Sequence, residues 1–144
     1  MNKSILAVLA SAVVLTSASI ASAVLTAGNL MVYRVGSGTG SLVSTGNPVF
    51  IDEYTPAGAF VQSIPTGVFS RGNSTAEGMM TRSVDGKYLV FMGFATASPT
   101  ASSINVVNAS QNVTRVVGRM NWNGTVELQP LTGDSYGSGH DPRT

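Results

Sequence analysis

This 144-residue chain contains no cysteine. That excludes disulfides, thiolate metal sites and a cysteine-anchored lipid modification, so stability must come from core packing. Charge is scarce as well: Asp, Glu, Lys and Arg make up 10% of the residues, where about a quarter is usual in soluble domains. The few Lys and Arg residues stand singly, without a run or patch, which argues against a nucleic-acid groove. No stretch sustains the spacing of an amphipathic helix. Beyond the first residues, no apolar run approaches the roughly 20 residues that a membrane-spanning helix requires.

The start of the chain is a targeting segment by its layout. Met1-Asn2-Lys3 supplies a short positive region, residues 5–15 are almost wholly apolar, and Ala21-Ser22-Ala23 is a small-x-small cleavage site. Together they predict a signal peptide over residues 1–23, cut after Ala23. Removal of Lys3 leaves the mature chain, 24–144, with as many acidic as basic side chains. The expected destination is outside the cytoplasm: secreted, periplasmic or at the cell surface. Glycosylation sequons begin at Asn73, Asn108, Asn112 and Asn123, but the Met-Asn-Lys start looks bacterial, and there such sequons would usually be idle.

What remains is a series of short β-branched and aromatic runs punctuated by Gly, Pro, Asn, Asp and Ser, the pattern of an all-β chain. Strands are expected over 29–35, 49–54, 59–64, 78–83, 87–94, 114–120 and 125–128, with a minor one over 104–107. Thr55-Pro56-Ala57-Gly58 has turn chemistry, and Asp85-Gly86 and Asn123-Gly124 read as two-residue hairpin turns. The strand over 87–94 is apolar on both faces, which predicts an inner strand covered on two sides. Residues 125–128 alternate instead. Pro65 and Pro130 are expected to end their strands. The pattern predicts small antiparallel sheets packed face to face.

Residues 51–67 slide without a gap onto residues 117–133, Gly58 falling on Gly124 and Thr66-Gly67 on Thr132-Gly133. Both segments read as strand–turn–strand units, a faint internal repeat. "AEGMMTRSVDGKYLVFMGF" and "RVVGRMNWNGTVEL" resemble a group of secreted, largely uncharacterised bacterial β-propeller proteins. In those, a Ser-x-Asp-Gly-x-Tyr-Leu hairpin precedes an Arg-Val-x-x-x-Gly hairpin. The resemblance implies four-stranded blades around a channel with ligand sites at one end. Seven strands make fewer than two blades, so an incomplete propeller, the N-terminal portion of a longer protein, is expected over a small β-sandwich.

Few residues offer chemistry. The single histidine, His140, has Ser135, Ser138, Asp134 and Asp141 nearby in a Gly-rich tail, with no spacing that fits a nucleophile elbow. Asp52 and Glu53 are neighbours in a strand and so point to opposite faces. One is expected to face solvent and the other to pair with Arg34 or Arg119, and a glycosidase pair would need Glu77 or Asp85 as its second carboxylate. Asp85-Gly86 lacks the alternating ligands of a calcium loop. The glycine run at 36–40 has no helix after it to receive a phosphate. No catalytic residue, metal or cofactor is assigned. Tyr54, Tyr88 and Trp122 are candidates to stack on sugars. Glu77 and Arg82 are the candidate ligand residues, because they flank what would be the innermost strand of a blade, where charge is costly unless paired or used.

The expected function is an exported binding or scaffold protein without catalysis, its ligand a carbohydrate or another surface protein. Two alternatives stand beside it: an exported polysaccharide hydrolase or lyase with its site largely in further blades, and a small self-associating surface protein.

Overall fold

A computed structural model of the protein describes residues 23–44, 46–72, 74–75, 77–95 and 114–131. The seven described strands are β1 (Leu30–Val35), β2 (Gly46–Tyr54), β3 (Phe60–Arg71), β4 (Met80–Arg82), β5 (Tyr88–Phe94), β6 (Arg115–Asn121) and β7 (Val126–Pro130). No helix occurs among the described residues, and so none that is long and apolar enough to cross a membrane. The expected minor strand over 104–107 lies outside them, as do residues 1–22 of the predicted signal peptide.

All pairings are antiparallel, and tight turns join β2 to β3, β4 to β5 and β6 to β7. The turns after β2 and β6 are built alike. Thr55 N–H donates to Ala59 O and Gly58 N–H to Thr55 O, while Asn121 N–H donates to Thr125 O and Gly124 N–H to Asn121 O. Gly58 and Gly124 both adopt positive φ, at 83° and 73°, where a side chain would be strained. The residues matched in the sequence repeat therefore close equivalent hairpins. The turns at Asn123-Gly124 and Asp85-Gly86 are longer than the expected two residues. Around Asp85-Gly86 the closing bond runs from Ser83 N–H to Tyr88 O, and the Asp85 carboxylate accepts from the Ser83 hydroxyl and from Lys87 N–H.

The strands form one open sheet in the order β1-β2-β3-β5-β6-β7, with β4 also on β5. This corrects the expectation of separate small sheets, because Phe69 of β3 pairs with Phe94 of β5 and joins the two groups. A second correction concerns Pro65, which does not end its strand. There β3 pairs only with β2 among the described residues, so a residue without an N–H leaves no ladder bond unmade. Just beyond, the β2–β3 register shifts and Gly67 takes a φ of 75°, a bulge that bends the strand.

Through this bend, Val49, Ile51, Ile64 and Val68 share a core with Leu89, Phe91, Val116 and Met120. Leu25, from the segment before β1, joins it. In β5, Leu89 and Phe91 are buried on one face and Met92 and Phe94 on the other, the double-sided burial expected of an inner strand. Tyr33 crosses from β1 to donate its hydroxyl to Met92 O at 3.2 Å. Burial pushes that phenol above its ordinary range, with the Glu77 carboxylate adding to the effect against a hydrogen bond with Ser70. It stays a neutral donor.

Candidate functional site

A cleft of about 660 Å³ opens between the segment before β1, the start of β1, and β4. Its apolar lining includes Leu25, Leu30, Met31, Met80 and Leu89, and Arg82 and Trp122 stand at its polar end. The volume is that of a small-ligand site, for which roughly 300–1,000 Å³ is usual.

The Arg82–Trp122 end is built by two turns. Hairpin β4–β5 presents the Gly86 carbonyl, which accepts from Arg82 Nε and Nη2 at 3.2 and 3.1 Å and from Trp122 Nε1 at 3.1 Å. The Arg82 guanidinium lies 5.5 Å from the centre of the indole, a cation–π arrangement. Trp122, in the β6–β7 turn, accepts at its backbone carbonyl from Leu25 N–H and so ties the cleft's floor to the same turn. No carboxylate among the described residues pairs with Arg82, whereas Arg34, Arg71, Lys87 and Arg119 each have one.

The two candidate ligand residues are not brought together. Glu77 accepts from the Ser70 hydroxyl at 2.7 Å, from Arg71 N–H at 2.8 Å and from Arg71 Nε at 2.5 Å. Its side chain is 4% exposed. The ion pair of Glu77 therefore fastens the β3–β4 connection to the end of β3, and of the two only Arg82 reaches the cleft.

The adjacent carboxylates do point to opposite faces, but neither meets solvent, which corrects that expectation. Asp52 pairs with Arg34 at 2.5 Å and accepts from the Ser63 hydroxyl. Glu53 is fully buried and pairs with no cation among the described residues. Its carboxylate accepts from Thr26 N–H at 2.8 Å, Asn29 Nδ2 at 2.6 Å and Gln62 Nε2 at 2.5 Å, while Gln62 also donates to Val24 O. Glu53 thus pins the segment before β1 onto β2 and β3. The sequence held one weak sign of this, the amide and threonine side chains clustered around residues 26–29 and 62. Arg119, the other expected partner, pairs instead with Glu127 across the β6–β7 hairpin.

For both carboxylates burial works to raise the pKa. At Asp52 the bonds from Arg34 and Ser63 outweigh it, and at Glu53 those from Gln62, Thr26 and Asn29, so each group sits below the ordinary carboxylate range. The folded state then binds these protons less readily than the unfolded chain. Their contribution is complete above the unfolded pKa values, about 4, and is lost as pH falls through the folded ones. In urea unfolding between pH 7 and pH 3, the midpoint is expected to hold down to about pH 5 and then fall; a midpoint that rose on acidification would contradict the assignment.

The remaining candidates are quickly placed. His140, Ser135, Ser138, Asp134 and Asp141 lie outside the described residues, as do Asn73, Asn108 and Asn112. Asn123 is exposed in its turn. Tyr88 packs under the Arg119 guanidinium and Tyr54 edge-on to Phe60, so neither lines the cleft. Asp85 is taken up by its own turn. The carbonyl of Ala23, the expected last residue of the signal peptide, packs against Gly124. Among the described residues, no group of three His, Cys, Asp or Glu could hold a metal ion. Comparison with protein-family models, with curated proteins and with solved structures finds no match for this chain.

Proposed function

We propose that the protein is an exported binding protein of propeller-type architecture, and that its ligand site is the cleft at Arg82 and Trp122. A single observation carries the reading: Arg82, which has no carboxylate partner among the described residues, stands over an indole in the lining of the apolar cleft. Arg82 is exposed, and a guanidinium without a carboxylate partner is free to make a charge-assisted contact with a ligand anion. The blade reading is supported by β4, β5, β6 and β7, which follow one another as an antiparallel meander, and by the matching hairpins at Gly58 and Gly124. In this reading Glu77 is a positioning residue for β4, and Arg82 meets the ligand.

The chain's only tryptophan is Trp122, so its emission reports on the cleft alone. Titration against a panel of short peptides and oligosaccharides is expected to give a saturable change with at least one member. Arg82→Gln should weaken that binding about tenfold or more, the loss of one charge-assisted contact. A flat response across the panel would sink the reading, and turnover of a panel member would overturn the absence of catalysis.

A further inference from the structure

Two strands beside the cleft each lack a second neighbour. Among the described residues β4 pairs only with β5 and β1 only with β2, and Met80, Thr81 and Arg82 of β4 all line the cleft with Leu30 and Met31 of β1. The direction of β4's backbone groups follows from the hairpin. Ser83 N–H donates to Tyr88 O, so in an antiparallel ladder, where pairing alternates residue by residue, Thr81 also turns its amide and carbonyl to β5. Met80 and Arg82 turn theirs to the open side. An unpaired row of this kind is a template for another strand.

The lining favours such a strand over a sugar. Leu25, Leu30, Met31, Met80 and Leu89 offer apolar contact and few hydrogen bonds. Asn29, the cleft's one side-chain amide, spends its Nδ2 on Glu53. The indole N–H of Trp122 is taken by Gly86 O, and the Arg82 guanidinium packs on its ring. Beside the Thr26 and Thr81 hydroxyls, a sugar would find few side-chain partners for its own. A peptide strand brings backbone groups for the edge, apolar side chains for the lining and, if acidic, a carboxylate for Arg82.

We therefore propose that the cleft binds an extended peptide carrying a carboxylate side chain, added as a strand to the open edge of β4 with the carboxylate on Arg82. This deepens the binding reading above and rests on it. β4 is three residues long, about 10 Å at roughly 3.3 Å per residue, so a hexapeptide covers it.

The probes are the capped hexapeptide acetyl-Val-Thr-Val-Glu-Val-Thr-amide, the same peptide with Gln for Glu, two versions N-methylated at alternate residues, one in each phasing, and hexagalacturonate. Each is titrated into the protein and followed by Trp122 emission. The acidic peptide is expected to saturate, and the Gln peptide and Arg82→Gln protein each to bind about tenfold more weakly, a difference of about 1.4 kcal/mol. The N-methylated peptide should lose binding in one of its two phasings, because only alternate amides reach β4. Equal affinity of the Glu and Gln peptides overturns the role of the charge, and full tolerance of N-methylation in both phasings overturns the strand pairing. Saturation by hexagalacturonate with no response to peptide overturns the peptide inference while the site itself stands. No response to any probe overturns the site reading as well. Arg82 is exposed, and an unchanged circular dichroism spectrum of Arg82→Gln would show that its loss of binding is not loss of fold.

Discussion

Phe91→Ala is expected to lower the unfolding free energy by about 3–5 kcal/mol, the range for removing a fully buried aromatic ring. Phe91 has no exposed surface. It packs edge-on to Tyr33 at a centroid distance of 6.5 Å, and its ring lies on Gly118 of β6, the residue it pairs with across the ladder. A methyl group at position 118 would overlap the ring itself. Gly118→Ala should therefore destabilise by about 1–3 kcal/mol through overpacking. The two changes are not independent, because a smaller side chain at 91 vacates the space the new methyl needs. Urea unfolding of Phe91→Leu, Gly118→Ala and the double variant should show the double variant more stable than the sum of the single losses, by at least about 0.5 kcal/mol. Strict additivity, or a loss below about 1 kcal/mol for Phe91→Ala, would mean that ring and glycine do not meet as described.

The second large effect is expected at Glu53. Its carboxylate gathers donors from Thr26, Asn29 and Gln62, with no cation paired to it among the described residues. Hydrogen bonds to a charged acceptor are each worth about 1.5–3 kcal/mol, but donors near the surface recover part of that from water. Glu53→Ala should accordingly cost about 3 kcal/mol. Glu53→Gln keeps an acceptor oxygen but sets an NH₂ against the remaining donors, so it should cost less than the alanine variant and still more than about 1 kcal/mol. Amide exchange separates this from a general loss of stability. The Thr26 amide should exchange much faster in either variant relative to the amides of β5, since the segment before β1 loses its anchor before the core opens. A Glu53→Ala protein of undiminished stability would show that the segment is held by Leu25 alone.

The stability experiments and the binding experiments test different parts of the molecule. Phe91, Gly118 and Glu53 support the walls of the cleft without lining it, whereas Arg82 and Trp122 face it. Phe91 and Gly118 variants should weaken binding only as they unfold the protein, whereas Glu53 variants, which free the segment that lines the cleft, should weaken it while the core is still folded. Arg82→Gln should leave the unfolding free energy unchanged to within about 0.5 kcal/mol, as befits an exposed side chain without a buried partner.

Much of the strand pattern is legible in the residues, because strand and turn signals are local. Seven of the expected strands occur, and the glycines of Asp85-Gly86, Asn123-Gly124 and Thr55-Pro56-Ala57-Gly58 stand in the turns between them. The apolar run of β5 announced burial on both faces for the same reason: side chains alternate, and both sets are apolar. The second half of β3 was harder to see. Its inward positions after Pro65 are Thr66, Val68 and Ser70, and two of the three are hydroxyl residues that read as loop until Thr66 is found donating to Val49 O.

The candidate site divides in the same way. By itself the sequence determined that a short strand runs close to Arg82, from its turn signals, and that Asp52 and Glu53 diverge, from strand geometry. Only the tertiary structure decided which charges are neutralised. Arg71 lies six residues before Glu77 and reaches it because β3 runs through Pro65. Glu53 is buried because the segment before β1 folds back over it. Arg82 is left with an indole and a carbonyl, and β4 with an open edge. These outcomes depend on which strand lies beside which and on what covers each face, and contacts between residues distant in the chain leave no periodic trace in it.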